Sequence, residues 1–88
     1  MGEIAYLQLG DTVLEVMAVT NPAPVSREPW QVGFKRIALE VDNMESTVKY
    51  LNSKGLKLTR EPVNLGTSIR AEFEDLNGLS IELREWFK

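Results

Sequence analysis

From Phe34 to Val41 the chain alternates: Ile37, Leu39 and Val41 fall on one side, Arg36, Ala38 and Glu40 on the other. This period of two marks a strand with one buried face and one wet face. The same period recurs in residues 3–9 and 12–19, with Gly10-Asp11 between them as a hairpin turn. In the second arm Leu14, Val16 and Ala18 share a face, while Val13, Glu15 and Met17 share the other. Residues 20–32 hold three prolines, which exclude helix and central strand, and read as an extended linker. Trp30 beside Pro29 is expected to pack that linker onto the body.

After Val41 the period changes. Asp42 with Glu45 three residues on reads as a capping box, and Met44, Val48 and Leu51 recur at helical spacing, with Tyr50 at the stripe's edge. Gly55 is expected as the C′ residue of a helix of about 11 residues. Strands are then expected at residues 56–60, 67–75 and 79–85, with a loop at 61–66 and a hairpin turn at Asn77-Gly78. In the last two, Ile69, Ala71, Phe73, Leu79, Ile81 and Leu83 point inward. Ser68, Arg70, Glu72, Glu74, Ser80, Glu82 and Arg84 take the opposite face. Trp86-Phe87 is expected to cover a sheet edge. Residues 34–85 thus read β-α-β-β-β, and residues 3–19 read β-β, like the end of a second such unit. Residues 9–16 and 76–83 echo each other: each is a turn followed by a strand with one central glutamate, Glu15 or Glu82.

Composition narrows the chemistry. The chain has 88 residues, no cysteine, no histidine and a net charge of -3. Disulfides, thiolate nucleophiles and imidazole bases or metal ligands are therefore outside its means. The acidic balance argues against nucleic acid, which needs a basic stripe; Lys35-Arg36 is a lone basic pair. No apolar run approaches the roughly 20 residues of a membrane span, and no signal-peptide pattern opens the chain. A cytoplasmic protein without nucleic-acid or membrane partners is the default expectation.

Two stretches carry a family resemblance: Gly33-Phe34-Lys35-Arg36-Ile37-Ala38-Leu39-Glu40-Val41-Asp42 and Phe73-Glu74-Asp75-Leu76-Asn77-Gly78-Leu79-Ser80-Ile81-Glu82-Leu83. They resemble the vicinal oxygen chelate superfamily, which includes glyoxalase I, methylmalonyl-CoA epimerase, extradiol dioxygenases and bleomycin-resistance proteins. The resemblance implies an α+β fold with a mixed curved sheet. It implies a partial module at residues 1–19, a linker at 20–32 and a complete βαβββ module at 33–88, in an N-terminally shortened member. It also implies a cleft in which each module offers a histidine and a glutamate to a divalent metal. By resemblance Glu15 and Glu82 stand at the glutamate positions and Arg36 at a histidine position; the other histidine position would precede residue 1. Arginine has no acceptor and cannot ligate a cation. An Arg36–Glu82 ion pair is expected where the metal would lie, and no cofactor is expected.

Three functions remain open at this stage. In the first, a small molecule, an anion among the candidates, is bound without metal by Arg36, Arg70, Arg84, Glu72 and Ser80. The cleft would be completed by a homodimer, because Leu14, Val16 and Ala18 have no local helix to cover them. In the second, the chain is a glyoxalase- or epimerase-type lyase or isomerase with Glu82 or Glu15 as base. That reading needs an arginine clamp or a divalent metal at Glu15 and Glu82. In the third, the chain is a structural partner of another family chain.

Overall fold

The computed structural model describes residues 2–24, 26–33 and 36–88. Two strands, β1 (Ile4–Leu9) and β2 (Thr12–Met17), form an antiparallel hairpin. Leu9 faces Thr12, so the connection is the two-residue Gly10-Asp11 turn, with Gly10 at φ 61°. A positive φ at the first turn position only is the II′ pattern, whose twist suits a hairpin. The ladder extends outward through Gly2 and Ala18, where Gly2 N–H donates to Ala18 O at 2.8 Å.

The rest of the chain is β3 (Arg36–Glu40), α1 (Met44–Ser53), β4 (Leu58–Asn64), β5 (Ser68–Glu74) and β6 (Ser80–Trp86). These strands form one sheet in the order β3-β6-β5-β4. β3 and β6 run parallel, and the other neighbours are antiparallel. The fold is α+β, with a βαβββ unit and an additional hairpin. The described residues between β2 and β3 carry no helix or strand. Phe34 and Lys35, where the third strand was expected to start, lie outside the described residues.

The alternation seen in the sequence sets the layers. Met44, Ala71, Phe73 and Leu83 are buried, and Leu39, Val41, Val48, Leu51, Leu56, Leu58, Ile69 and Ile81 pack around them. In the sheet, Leu39, Leu83 and Ala71 lie side by side, as do Ile37, Ile81, Phe73 and Leu58. The helix covers that face, and the charged residues take the other.

Several local expectations change. The N-cap is Asn43, not Asp42: the Asn43 side chain accepts the Ser46 N–H at 2.8 Å. Asn43 wins because its extended backbone, φ -145° and ψ 114°, sits one residue before the first helical position. The Asn43→Ala variant is expected to lose about 1 kcal/mol in urea unfolding, against little for Asp42→Ala. At the other end Gly55, φ 85°, is C′ as expected. Gly55 N–H donates to Asn52 O and Leu56 N–H to Leu51 O, both at 3.0 Å, which closes a Schellman motif. Residues 61–64, expected as loop, continue β4. Pro62 is tolerated because β4 is an edge strand with irregular pairing on both sides of Arg60. Trp30 does not pack on the body; it is 93% exposed. Trp86 belongs to β6 rather than to a cover over the sheet edge.

Candidate functional site

The wet face of the four-stranded sheet carries the chemistry. Its strand registers place like charges directly opposite: Glu72 faces Glu82, and Arg70 faces Arg84. Opposed like charges destabilise a sheet unless something lies between them. Here the unlike charges meet along one diagonal, Arg70 to Glu82, and between alternate residues of each strand. Arg70 Nε donates to Glu82 Oε1 at 2.7 Å, and its Nη2 lies 3.3 Å from Glu72 Oε2. Arg84 Nη2 donates to Glu82 Oε2 at 3.0 Å, and its Nη1 donates to the fully buried Ser68 Oγ at 3.1 Å. The Arg84 guanidinium also lies 5.2 Å from the Trp86 ring centre.

Glu72 is the hub. Its side chain is 5% exposed. Arg36 Nη1 and Ser80 Oγ both donate to its Oε1, the latter at 3.3 Å. Arg60 Nε approaches Oε2 to 2.9 Å without forming a hydrogen bond. Four guanidiniums, from Arg36, Arg60, Arg70 and Arg84, thus surround two carboxylates. The floor is buried, whereas Arg36 is 43% and Arg60 73% exposed. The Arg84 Nε–H is buried and has no partner.

The structure brings together Arg36, Arg70, Arg84, Glu72, Ser80 and Glu82, all expected from the sequence. It does not join Glu15 to them. Glu15 is exposed on β2, opposite Tyr6, in the separate two-stranded sheet. The expected Arg36–Glu82 pair is replaced by Arg36–Glu72. β3 does adjoin β6, but the register sets Arg36 against Ser80 and Ala38 against Glu82. Both Glu82 oxygens are already held by Arg70 and Arg84. Arg60 was missed by sequence reasoning. One extra residue between the Leu58–Phe73 and Arg60–Glu72 pairs turns Arg60 from the Leu58 side to the charged face.

Burial pushes the Glu82 carboxyl up, but the Arg70 hydrogen bond and charge, then those of Arg84, outweigh it and hold its pKa below the ordinary 4.5. A carboxylate of lowered pKa stabilises the fold above its unfolded pKa, and that contribution is lost as pH falls through the folded value. The Glu82→Gln variant is therefore expected to be less stable than the parent at pH 7. Urea unfolding should show the difference shrinking as pH falls below the ordinary carboxylate range and lost once pH has fallen through the lowered folded value.

A divalent metal does not fit these residues. Among the described residues no group of three or more Asp, Glu, His or Cys side chains is placed to hold a metal ion. The two carboxylates at the face spend their oxygens on guanidiniums, and a cation there would meet four positive charges. An open cleft of about 760 Å³ lies beside the site, lined by Leu9–Thr12, Leu14 and Ile37–Asp42. None of the four arginines lines it. Among the described residues no helix is long and apolar enough to cross a membrane.

Residues 1–83 match the family described as Glyoxalase/Bleomycin resistance protein/Dioxygenase superfamily. The fold is similar to the crystal structure of the glyoxalase family protein from Enterococcus faecalis, with a TM-score of 0.76 and 25% identity over 93% of this chain and 66% of that one. It is also similar to the crystal structure of SMU.1112c, with a TM-score of 0.74 and 25% identity over 93% of this chain and 68% of that one. The chain therefore spans about two thirds of the length of each. No curated protein matches it.

Proposed function

Since the chain belongs to the glyoxalase/bleomycin resistance protein/dioxygenase superfamily, we propose that it is a metal-free member that binds a small anion on the charged sheet face. The observation that carries this reading is the exposure of two guanidiniums: Arg36 and Arg60 remain solvent-accessible over a buried carboxylate that fixes them in place. Arginine presents a planar fork that matches carboxylate and phosphate oxygens. Glu72 acts as a positioning group, itself held by the Ser80 hydroxyl, because it fixes the Arg36 donor and leaves the other N–H groups for a ligand. Trp86, about half exposed beside Arg84, offers an apolar wall.

The division into a hairpin at residues 1–19, a linker at 20–32 and a βαβββ module at 33–88 belongs to the same proposal. So does a homodimer that completes the cleft. Its motive is the hairpin's apolar surface: Tyr6, Leu7, Val13, Val16 and Met17 are all exposed.

A base role for Glu82 is less well supported than binding. A carboxylate gripped by two guanidiniums and held below its ordinary pKa takes up a proton poorly. Calorimetric titration with inorganic phosphate and with malonate tests the binding reading. Saturable binding that weakens in Arg60→Ala supports it; no binding of either anion overturns it.

A further inference from the structure

An asparagine side chain is open to attack by the backbone nitrogen of the residue that follows it. What that residue is, and what holds its N–H, decides whether the attack occurs. Asn21 precedes Pro22, which has no N–H. Asn43 accepts the Ser46 N–H, and the Met44 N–H that follows it donates to Glu85 Oε1 at 2.6 Å. Asn52 lies inside α1, where the helical ladder holds the next N–H. Asn64 accepts the Gly66 N–H at 2.8 Å, and the Leu65 N–H donates to Ser68 O at 2.8 Å. Asn77 differs from all of these. It is exposed and precedes Gly78, and its side chain has no hydrogen-bond partner among the described residues. A Cβ built on Gly78 would meet nothing within 4 Å, so no other part of the fold crowds this peptide bond.

Asn77 sits in the turn that joins β5 to β6. Asp75 N–H donates to Leu79 O at 2.9 Å, and Gly78 N–H donates to Asp75 O at 3.1 Å. With Gly78 at φ 87°, this is a hairpin loop made of a type I turn and a glycine bulge. Asp75 Oδ1 adds two more bonds, from Asn77 N–H at 2.9 Å and Leu79 N–H at 2.8 Å. Asp75 thus ties the loop through its N–H, its carbonyl and its side chain. In the closed turn the Gly78 N–H is engaged by Asp75 O, so its attack on the Asn77 side chain requires that bond to open.

We propose that Asn77 is a site of spontaneous deamidation whose rate is set by opening of the β5–β6 turn. In the open turn the Gly78 nitrogen loses its proton and bonds to Asn77 Cγ. The bond from Cγ to the side-chain nitrogen breaks and ammonia leaves. Water then adds to one of the two carbonyls of the cyclic imide. Cleavage of the N–Cγ bond leaves an aspartate at position 77. Cleavage of the main-chain N–C bond leaves an isoaspartate, with the backbone routed through Cγ. The sum is one water consumed and one ammonia released, with no oxidant or reductant. Either product adds a negative charge beside Glu74 and Asp75. The isoaspartate also lengthens the loop that sets Glu74 against Ser80 and, further along the ladder, Glu72 against Glu82. That form is therefore less stable than the parent.

Incubation of the purified chain in warm, mildly alkaline buffer, followed by anion exchange and peptide mapping by mass spectrometry, tests the site. A more acidic species should accumulate, mapped to Asn77 before any other asparagine. It should be absent in Asn77→Gln, whose longer side chain closes the larger ring poorly. Asp75→Ala removes two hydrogen bonds from the closed turn and should convert about fivefold faster or more. The chain unfolded in guanidinium chloride gives the ungated rate, and the folded parent should be slower. That comparison needs no substitution, so it stands even where Asp75→Ala does not fold. The purified isoaspartate form should unfold at a lower urea concentration than the parent. Conversion first at another asparagine overturns the site, as does an unchanged folded chain while the unfolded chain is converted. Equal rates in the folded and unfolded chains overturn the gate. Anion binding is a readout in none of these arms.

Discussion

Replacing Glu72 with glutamine is expected to cost about 3 kcal/mol of unfolding free energy, close to the value for breaking one side of a buried ion pair. The carboxylate is buried and touches Arg36, Arg60 and Arg70. Without its charge, Arg36 and Arg60 lose the ion pair they make among the described residues, and Arg70 keeps only Glu82. The cost arises less from lost contacts than from cations left crowded over a low-dielectric floor. Exposed Glu74, on the same face by strand parity and without an ion pair among the described residues, provides the control. Glu74→Gln should change stability by less than about 0.5 kcal/mol. Urea denaturation of both variants at pH 7 checks the pair. Equal effects would mean that Glu72 is not the hub.

The second large effect concerns binding. Each charge-assisted hydrogen bond to an anion contributes about 1.5–3 kcal/mol, so losing one arginine should weaken binding about tenfold to a hundredfold. Arg60→Ala is the cleaner variant, because that side chain is mostly solvated and its loss disturbs the fold little. Arg36→Ala should weaken binding as much but also leave Glu72 Oε1 with only the Ser80 hydroxyl as donor, and so lower stability. Arg36→Lys should restore the charge but not the fork, and recover only part of the affinity. Glu15→Gln, on the separate hairpin, should leave affinity unchanged. Raising the salt concentration should weaken binding in the parent more than in Arg60→Ala.

Much of the fold was legible because alternation is a local property. The parities of Ile37 and Leu39, of Ala71 and Phe73, and of Ile81 and Leu83 each follow from a period of two, and each residue lies on the helix-covered side. The glycines at 10 and 55 marked a turn and a helix end, because positive φ suits them better than any other residue. What the sequence left unresolved was register. Parity shows that Arg36 and Glu82 share a face. The registers set Arg36 in line with Ser80 and Glu74, and only the side-chain geometry shows that it reaches diagonally to Glu72, two strands away.

Arg60 was hidden for a related reason. In a strict alternation it shares a side with Leu58, and the bulge that turns it over leaves no trace in composition beyond nearby Pro62. The echo between residues 9–16 and 76–83 is likewise only half informative. Both are turns leading into strands, but Glu82 has Arg70 and Arg84 beside it and Glu15 has Tyr6 across from it. The same local pattern thus carries different chemistry, because the neighbouring strands differ.

The central claim is that this face takes an anion where its family relatives' pattern calls for a metal. Titration of the purified chain with inorganic phosphate and, separately, with Mn²⁺, Ni²⁺ and Zn²⁺, followed by calorimetry, tests it most directly. Saturable phosphate binding that falls at least about tenfold in Arg60→Ala, with no stoichiometric binding of any of the three cations, is the expected result. Stoichiometric binding of a divalent cation that is lost in Glu82→Gln, with no phosphate binding, would contradict it.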